Sequence, residues 1–147
     1  MAVTRSANAT WRGNLLEGSG FVSSATTSRF TDLPVSWNAR TADPEGLTSP
    51  EELLAGAHAS CFSMSLSNTL AKAGFTAEQL EVTATVTADK RDPGWTVISS
   101  HLSVRGRVPG ADQAAFEAAA DSAKDGCPIS RALMGNVELS VDATLES

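Results

Sequence analysis

Two cysteines are the residues of this chain with the most evident chemistry. Cys61 lies in an uncharged, largely apolar stretch, and Cys127 stands directly before Pro128. The thiolate rather than the thiol is the nucleophile, and its population depends on nearby positive charge, helix dipoles and burial. A helix N-terminus at Cys127 favours a negative sulfur, whereas apolar surroundings raise the pKa of Cys61 unless a cation comes close. Position alone therefore predicts Cys127 as the nucleophile.

Arg40 is a cation that could reverse this order. It closes a predicted strand just ahead of the helix that carries Cys61, and Glu51 in the first turn of that helix is free to hold it. A guanidinium is always charged and forks planar hydrogen bonds, so it can bind a carboxylate on one side and a thiolate on the other. This arrangement suits attack on a peroxide O–O bond, which gives a sulfenic acid that a second thiol can convert to a disulfide.

Each of these residues also has a simpler interpretation. A cysteine in an apolar helix usually packs as a small hydrophobe, a strand-end arginine is normally solvated, and an early helical glutamate usually complements the dipole. His58, one turn before Cys61, could be the base of a cysteine hydrolase, although a packed core or interface imidazole is more frequent. Periodicity and spacing thus leave peroxide reduction beside three alternatives: a redox sensor, a ligand-binding stress protein and a Cys61/His58 hydrolase.

Residues 49–74 predict the long helix that positions Cys61. Ser49 as N-cap with Pro50 and Glu52 after it forms a capping box, and Gly74 follows the last turn. No formal charge appears between Glu52 and Lys72, yet serine, threonine and asparagine make this a poor membrane span. We expect a central helix packed on most sides, and because one small domain offers little cover, an intertwined homodimer.

The rest of the pattern predicts an α+β domain with antiparallel sheet. Residues 10–16 and 21–26 form a hairpin that turns at 17–20, and 35–40 form a third strand. Residues 80–89 and 96–108 alternate apolar and polar side chains as a second hairpin. A helix over 113–125, a short helix after Cys127 and a last strand over 137–145 complete the chain.

Composition limits the class of protein. The 147 residues fit a single domain, 1–147, and a net charge of −6 argues against nucleic acid or anionic membranes as partners. The N-terminus lacks the apolar core of a signal peptide, so we expect a cytoplasmic protein with reduced thiols. Without ligands in close sequence pairs, we expect no metal on His58, Cys61, His101 and Cys127.

Two motifs resemble those of the OsmC/Ohr family of thiol-dependent hydroperoxide reductases. TSPEEL at 48–53 leads into AHASCFSM at 57–64, and GCPIS follows at 126–130. The resemblance implies that Cys61 is the peroxidatic cysteine and Cys127 the resolving one, against the dipole argument. Glu51 matches the family carboxylate, and Arg40 within WNART matches its arginine, in a placement similar to the OsmC branch. Arg12 and Arg29 are the weaker candidates.

The same resemblance implies an OsmC-like α+β fold, an intertwined homodimer with two sites at its interface, and no metal or flavin. It implies reduction of organic hydroperoxides, and more weakly of hydrogen peroxide, through a sulfenic acid and an intramolecular disulfide. No bound cofactor is expected, because the electrons come from an external dithiol, in many members protein-bound dihydrolipoamide. The alternative is a redox-sensing or ligand-binding stress protein that does not turn over.

Overall fold

The structure is a computed structural model that describes residues 1–146. The chain divides into two compact units, residues 1–53 and the residues from 54 onward, and each is described by itself. Among residues 1–146, none of the helices combines the length and the hydropathy that a membrane crossing requires.

The first unit holds a three-stranded antiparallel sheet in the order β1-β2-β3. Its strands are β1 (Ala7–Arg12), β2 (Ser19–Ser24) and β3 (Leu33–Val35). The predicted hairpin is confirmed, but its turn lies earlier, at residues 13–18. There the Asn14 side-chain oxygen accepts a hydrogen bond from the Glu17 N–H at 2.9 Å. Gly13 supplies the left-handed backbone, with φ +92°, that this turn requires.

The predicted third strand over 35–40 is wrong beyond Val35. Residues Trp37–Thr41 form a short helix, α1, and the Ser36 hydroxyl caps it by accepting from the Ala39 N–H at 3.1 Å. An N-cap serine satisfies a backbone donor that helix formation leaves open, and this local bond outweighs a short alternation of side chains. Arg40 therefore lies in the last turn of a helix, where a cation complements the dipole.

Helix α2 (Pro50–Lys72) begins and ends as predicted. The Ser49 hydroxyl accepts from the Glu52 N–H at 3.1 Å, and the Glu52 carboxylate accepts from the Thr48 hydroxyl at 2.5 Å. Beyond the last turn Gly74 has φ +90°, as a glycine at a helix C-terminus commonly does.

The expectation that α2 is packed on most sides is not met within the single chain. One face is buried and carries, at four-residue intervals, His58, Phe62, Leu66 and Leu70. The opposite face is exposed, and Met64 on it is 67% exposed. The reason is that a helix presents only one face to one sheet.

The second unit builds a sheet from β4 (Gln79–Lys90), β5 (Trp95–Arg107) and β6 (Glu138–Leu145). The β4–β5 hairpin is confirmed, with one partly buried and one exposed face along β4. Strand β6, however, pairs parallel to β5, so the sheet is mixed rather than antiparallel. The connection from β5 to β6 runs through two helices, α3 (Gln113–Gly126) and α4 (Pro128–Leu133), and a crossover of that kind permits parallel pairing.

The core of this unit lies between the sheet and the helices. Phe62 and Leu66 of α2, Leu102 of β5 and Phe116 of α3 are fully buried in one cluster. Gly106 makes room for the Phe116 ring, since a Cβ atom at Gly106 would stand 2.4 Å from its Cζ. The same core holds the segment between α3 and α4 in place, because Ala123 and Cys127 both belong to it.

Candidate active site

The two thiols meet inside the second unit. Cys61 projects from the middle of α2, and Cys127 is at once the C-cap of α3 and the N-cap of α4. Both are free cysteines, and the Cys127 thiol is in hydrogen-bonding contact with Cys61. Cys127 makes no side-chain capping bond to α4, so its sulfur is available to its neighbour. The contact joins residues 66 positions apart in sequence without a disulfide between them.

The two sulfurs differ in access. Cys127 has 0% of its surface exposed, whereas Cys61 is only partly buried. A substrate molecule therefore reaches Cys61 first. Access therefore favours Cys61, whereas the helix dipole alone predicts Cys127 as the nucleophile.

The surroundings of Cys61 within its unit favour the protonated form of its thiol. Burial raises the pKa of the Cys61 thiol, and the hydrogen bond with Cys127 raises it further. The backbone N–H of Ile129 acts the other way and lowers the pKa. Apolar surroundings were predicted to have this effect unless a cation comes close. A reactive thiolate at position 61 therefore needs a positive group in addition to these neighbours.

His58 is a fully buried imidazole with both nitrogens engaged. Its Nδ1 lies 2.7 Å from the Ser100 hydroxyl and its Nε2 lies 2.8 Å from the Ser130 hydroxyl. Burial lowers its pKa, which favours the neutral ring with one donor and one acceptor nitrogen. The packed core imidazole is confirmed, and the hydrolase hypothesis loses its base. Sequence reasoning missed Ser100 and Ser130, although Ser130 belongs to the GCPIS segment.

The first unit contains the predicted cation and carboxylate as a forked pair. Arg40 Nε lies 3.0 Å and 3.1 Å from the two Glu51 oxygens, and Arg40 Nη2 lies 2.7 Å from Oε1. The guanidinium carbon stands 5.7 Å from the centroid of the Trp37 ring, within reach of a cation–π contact. Arg40 is 36% and Glu51 14% exposed in their side chains. Within residues 1–146, Nη1 donates to no other group, so both of its N–H donors remain for a ligand.

A mostly apolar cavity of about 290 Å³ adjoins this pair. Its walls come from the first unit, namely Trp11, Leu15, Val35, Ser36, Trp37, Arg40 and Pro50. The arginine is the charged group in this lining. A cavity of this kind accommodates an apolar substituent with one polar end directed at the guanidinium.

The two other candidate arginines and the second histidine have different contacts. Arg12 lines a separate, more polar cavity with Asp32, Arg29 is exposed, and of these arginines Arg40 is the one paired with Glu51. His101 lies between Ser140, at 2.7 Å, and Asp142, at 3.2 Å. Among residues 1–146, no group of three or more His, Cys, Asp or Glu side chains is arranged to hold a metal ion.

Comparison with known proteins identifies relatives of this chain. The family model described as OsmC-like protein matches residues 24–142. Peroxiredoxin OsmC of Escherichia coli (strain K12) is 37% identical over 147 residues, which cover 100% of both chains.

Solved structures share the fold at lower identity. The organic hydroperoxide resistance protein OhrB of Bacillus subtilis has a TM-score of 0.75 at 23% identity, covering 95% of this chain and 98% of its own. An OsmC-like protein from Mycoplasma pneumoniae has a TM-score of 0.75 at 18% identity, covering 100% of both chains. With the family model spanning most of its length and a full-length relative at this identity, the chain belongs to the OsmC-like family.

Proposed function

We propose that the protein is a thiol-dependent peroxidase that reduces organic hydroperoxides, and more weakly hydrogen peroxide. The observation that carries the proposal is the contact between the thiols of Cys61 and Cys127, one accessible and one buried. It occurs in a chain that aligns from end to end with a peroxiredoxin. A buried thiol beside an accessible one is suited to a two-step cycle in which the first sulfur is oxidised and the second resolves it.

The first step is attack of the Cys61 thiolate on the terminal oxygen of the hydroperoxide. An S–O bond forms, the O–O bond breaks, and the alkoxide leaves and takes a proton to become the alcohol. In the second step the Cys127 sulfur displaces the hydroxyl of the Cys61 sulfenic acid, which gives a disulfide and water. An external dithiol then reduces the disulfide by thiol exchange and is itself oxidised. Protein-bound dihydrolipoamide is the reductant that we propose.

Arg40 and Glu51 supply what the Cys61 surroundings lack. The Cys61 pKa is raised by burial and by Cys127, so ionisation requires a cation, and Arg40 keeps both Nη1 N–H donors, which Glu51 does not accept. Those donors can bind the thiolate before attack and the departing oxygen during it. Glu51 fixes the guanidinium plane, and the adjoining apolar cavity takes the organic substituent of the substrate.

Substitution of each cysteine tests this division of labour. Cys61→Ser abolishes consumption of cumene hydroperoxide, whereas Cys127→Ser consumes one equivalent and then stops as a sulfenic acid that dimedone traps. Steady-state turnover of the wild type with dihydrolipoamide separates an enzyme from a redox sensor, which is oxidised once. Equal multiple-turnover rates for wild type and Cys127→Ser would exclude the resolving role.

We also propose that the active form is an intertwined homodimer in the cytoplasm, where thiols stay reduced. Support comes from α2, whose exposed face is an uncharged stripe at helical spacing, made of Gly56, Ala57, Ser60, Met64, Ser67, Asn68 and Ala71. Interface centres are depleted of charge in this manner, and methionine is enriched there. Sedimentation at micromolar concentration tests the proposal, and a monomer there contradicts it.

A further inference from the structure

The buried imidazole of His58 links three elements of the second unit. His58 belongs to α2, Ser100 to β5 and Ser130 to α4, and all three side chains have 0% exposure. The two hydrogen bonds, at 2.7 Å and 2.8 Å, span 42 and 72 residues of sequence. A neutral imidazole satisfies both hydroxyls, donating to one and accepting from the other. None of the steps proposed above uses this chain of bonds.

The geometry relates this chain of bonds to the thiols. His58 and Cys61 are three residues apart on α2, and Cys127 and Ser130 are three residues apart across the first turn of α4. Residues three apart on a helix lie on the same face. Two contacts therefore join the same two segments side by side: Cys61 with Cys127, and His58 with Ser130.

Helix α4 depends on that second contact for its register. It has six residues, too few for a helix to be stable by itself. Its link to α2 between two side chains is the hydrogen bond between Ser130 and His58, while Ser100 holds the ring from the opposite side. Loss of the link leaves Cys127 held by apolar packing, by its backbone bond to Ala123 O at 2.9 Å and by the Ile129 N–H on Cys61, but removes the side-chain hydrogen bond between α4 and α2.

We propose that His58 is a positioning residue that, through Ser130, holds Cys127 within reach of Cys61. It thereby sets the effective concentration of the two thiols for disulfide closure. This inference rests on the proposed function for its biological meaning. The physical claim concerns only the formation of the disulfide. Holding two reacting groups together raises their effective concentration, and each tenfold change in that quantity alters the closure equilibrium tenfold.

The first experiment equilibrates the reduced protein with mixtures of oxidised and reduced dithiothreitol and measures the Cys61–Cys127 disulfide. Two electrons and two protons pass from the protein to the reagent, and no peroxide is involved. Ser130→Ala is expected to lower the equilibrium constant about tenfold, or about 30 mV in potential. Ser100→Ala keeps the link to α4 and is the matched control, with a smaller shift. His58→Gln, whose amide can reach Ser130, is expected to recover most of the loss seen in His58→Leu.

A second measurement separates positioning from a general loss of structure. After one equivalent of cumene hydroperoxide, Ser130→Ala is expected to form the sulfenic acid at the wild-type rate and to close the disulfide about tenfold more slowly. Wild-type potentials in both Ser130→Ala and His58→Leu would overturn the inference, and so would equal slowing of both steps. A wild type that closes its disulfide with dithiothreitol but consumes no peroxide would instead refute the proposed function and leave this inference standing.

Discussion

In the proposed site, Arg40 and Glu51 act on the Cys61 thiolate with opposite signs, so the Cys61 pKa values of their variants should follow a strict order. The Arg40 charge favours the thiolate, and the Glu51 charge opposes it from behind the guanidinium. If Arg40 contacts the sulfur as proposed, at roughly 4 Å, the two unit charges interact by about 4 kcal/mol at an effective dielectric of about 20. Glu51 is one hydrogen bond farther, 2.7 Å from the arginine, and at roughly 7 Å it opposes by about 2 kcal/mol.

Partial exposure reduces both quantities but preserves their order. Arg40 is 36% exposed, and solvent screening at such a site reduces the interactions by about half. The thiolate is then favoured by about 1 kcal/mol net in the wild type. Removal of Arg40 alone costs about 2 kcal/mol, which is the lost Arg40 attraction, and leaves the thiolate disfavoured by the repulsion of the remaining Glu51 charge. The Cys61 pKa should therefore increase in the order Glu51→Gln, wild type, Arg40→Ala/Glu51→Gln, Arg40→Ala.

The assay is the rate of alkylation by iodoacetamide as a function of pH, in a Cys127→Ser background so that one thiol titrates. Arg40→Lys is the matched control, because it keeps the charge and loses the planar fork. It should stay close to wild type in the alkylation curve and still lose peroxidase kcat/KM about tenfold or more. Coincident curves for wild type and Arg40→Ala would show that another cation activates Cys61. A Glu51→Gln curve displaced to higher pH would refute the electrostatic reasoning.

Three further predictions concern core packing, the titration of His58 and the assembly of the site. Gly106→Ala places a Cβ 2.4 Å from the Phe116 ring and should lower the free energy of unfolding in urea by about 1–3 kcal/mol. Gly94→Ala is the control and should be nearly neutral, because no neighbouring atom lies within 4 Å of the added Cβ. Because burial lowers the pKa of His58, the unfolded state binds the proton more readily. Stability should fall as pH drops below about 6.5, and His58→Gln should lack this component of the pH dependence. If each site of the proposed dimer takes Arg40 from one subunit and Cys61 from the other, mixing inactive Cys61→Ser with inactive Arg40→Ala should restore about a quarter of wild-type activity. No recovery after confirmed subunit exchange would assign both residues to the same subunit.

Local signals in the sequence predicted the elements that carry the thiols. Ser49 and Gly74 mark the ends of α2 through capping and a left-handed C-terminus, both of which depend on a few neighbouring residues. The alternation along β4 continues over ten residues, long enough to separate a strand from a helix. The alternation in the segment that contains Arg40 is too short to separate a strand from a helix. The hydroxyl of Ser36 caps that segment as a helix. The direction of β6 depended on the path of the chain through α3 and α4, which no local pattern contains.

The site was predictable to the extent that its contacts are short in sequence or chemically distinctive. Arg40 and Glu51 are eleven residues apart, and a lone arginine next to a helix start suggested the pair directly. The partners of His58 are serines 42 and 72 residues away. A serine has no pattern of its own, because it serves equally as a cap, a surface residue or a buried hydrogen-bond partner. The structure was therefore needed to show that His58 is hydrogen-bonded to Ser130, three residues after Cys127.

The proposed chemistry needs groups from both units, because the thiols and the cation lie in different ones. Within the second unit, burial and the Cys127 thiol raise the pKa of Cys61, so these neighbours favour the thiol of Cys61 over its thiolate. The cation that the proposal requires, with its carboxylate and apolar cavity, belongs to the first unit. Reactivity toward peroxide then requires the two units to act together, whether within one subunit or across a dimer. On this proposal, a chain whose second unit is folded but lacks the cation beside Cys61 would keep the raised pKa of that thiol and react slowly with peroxide.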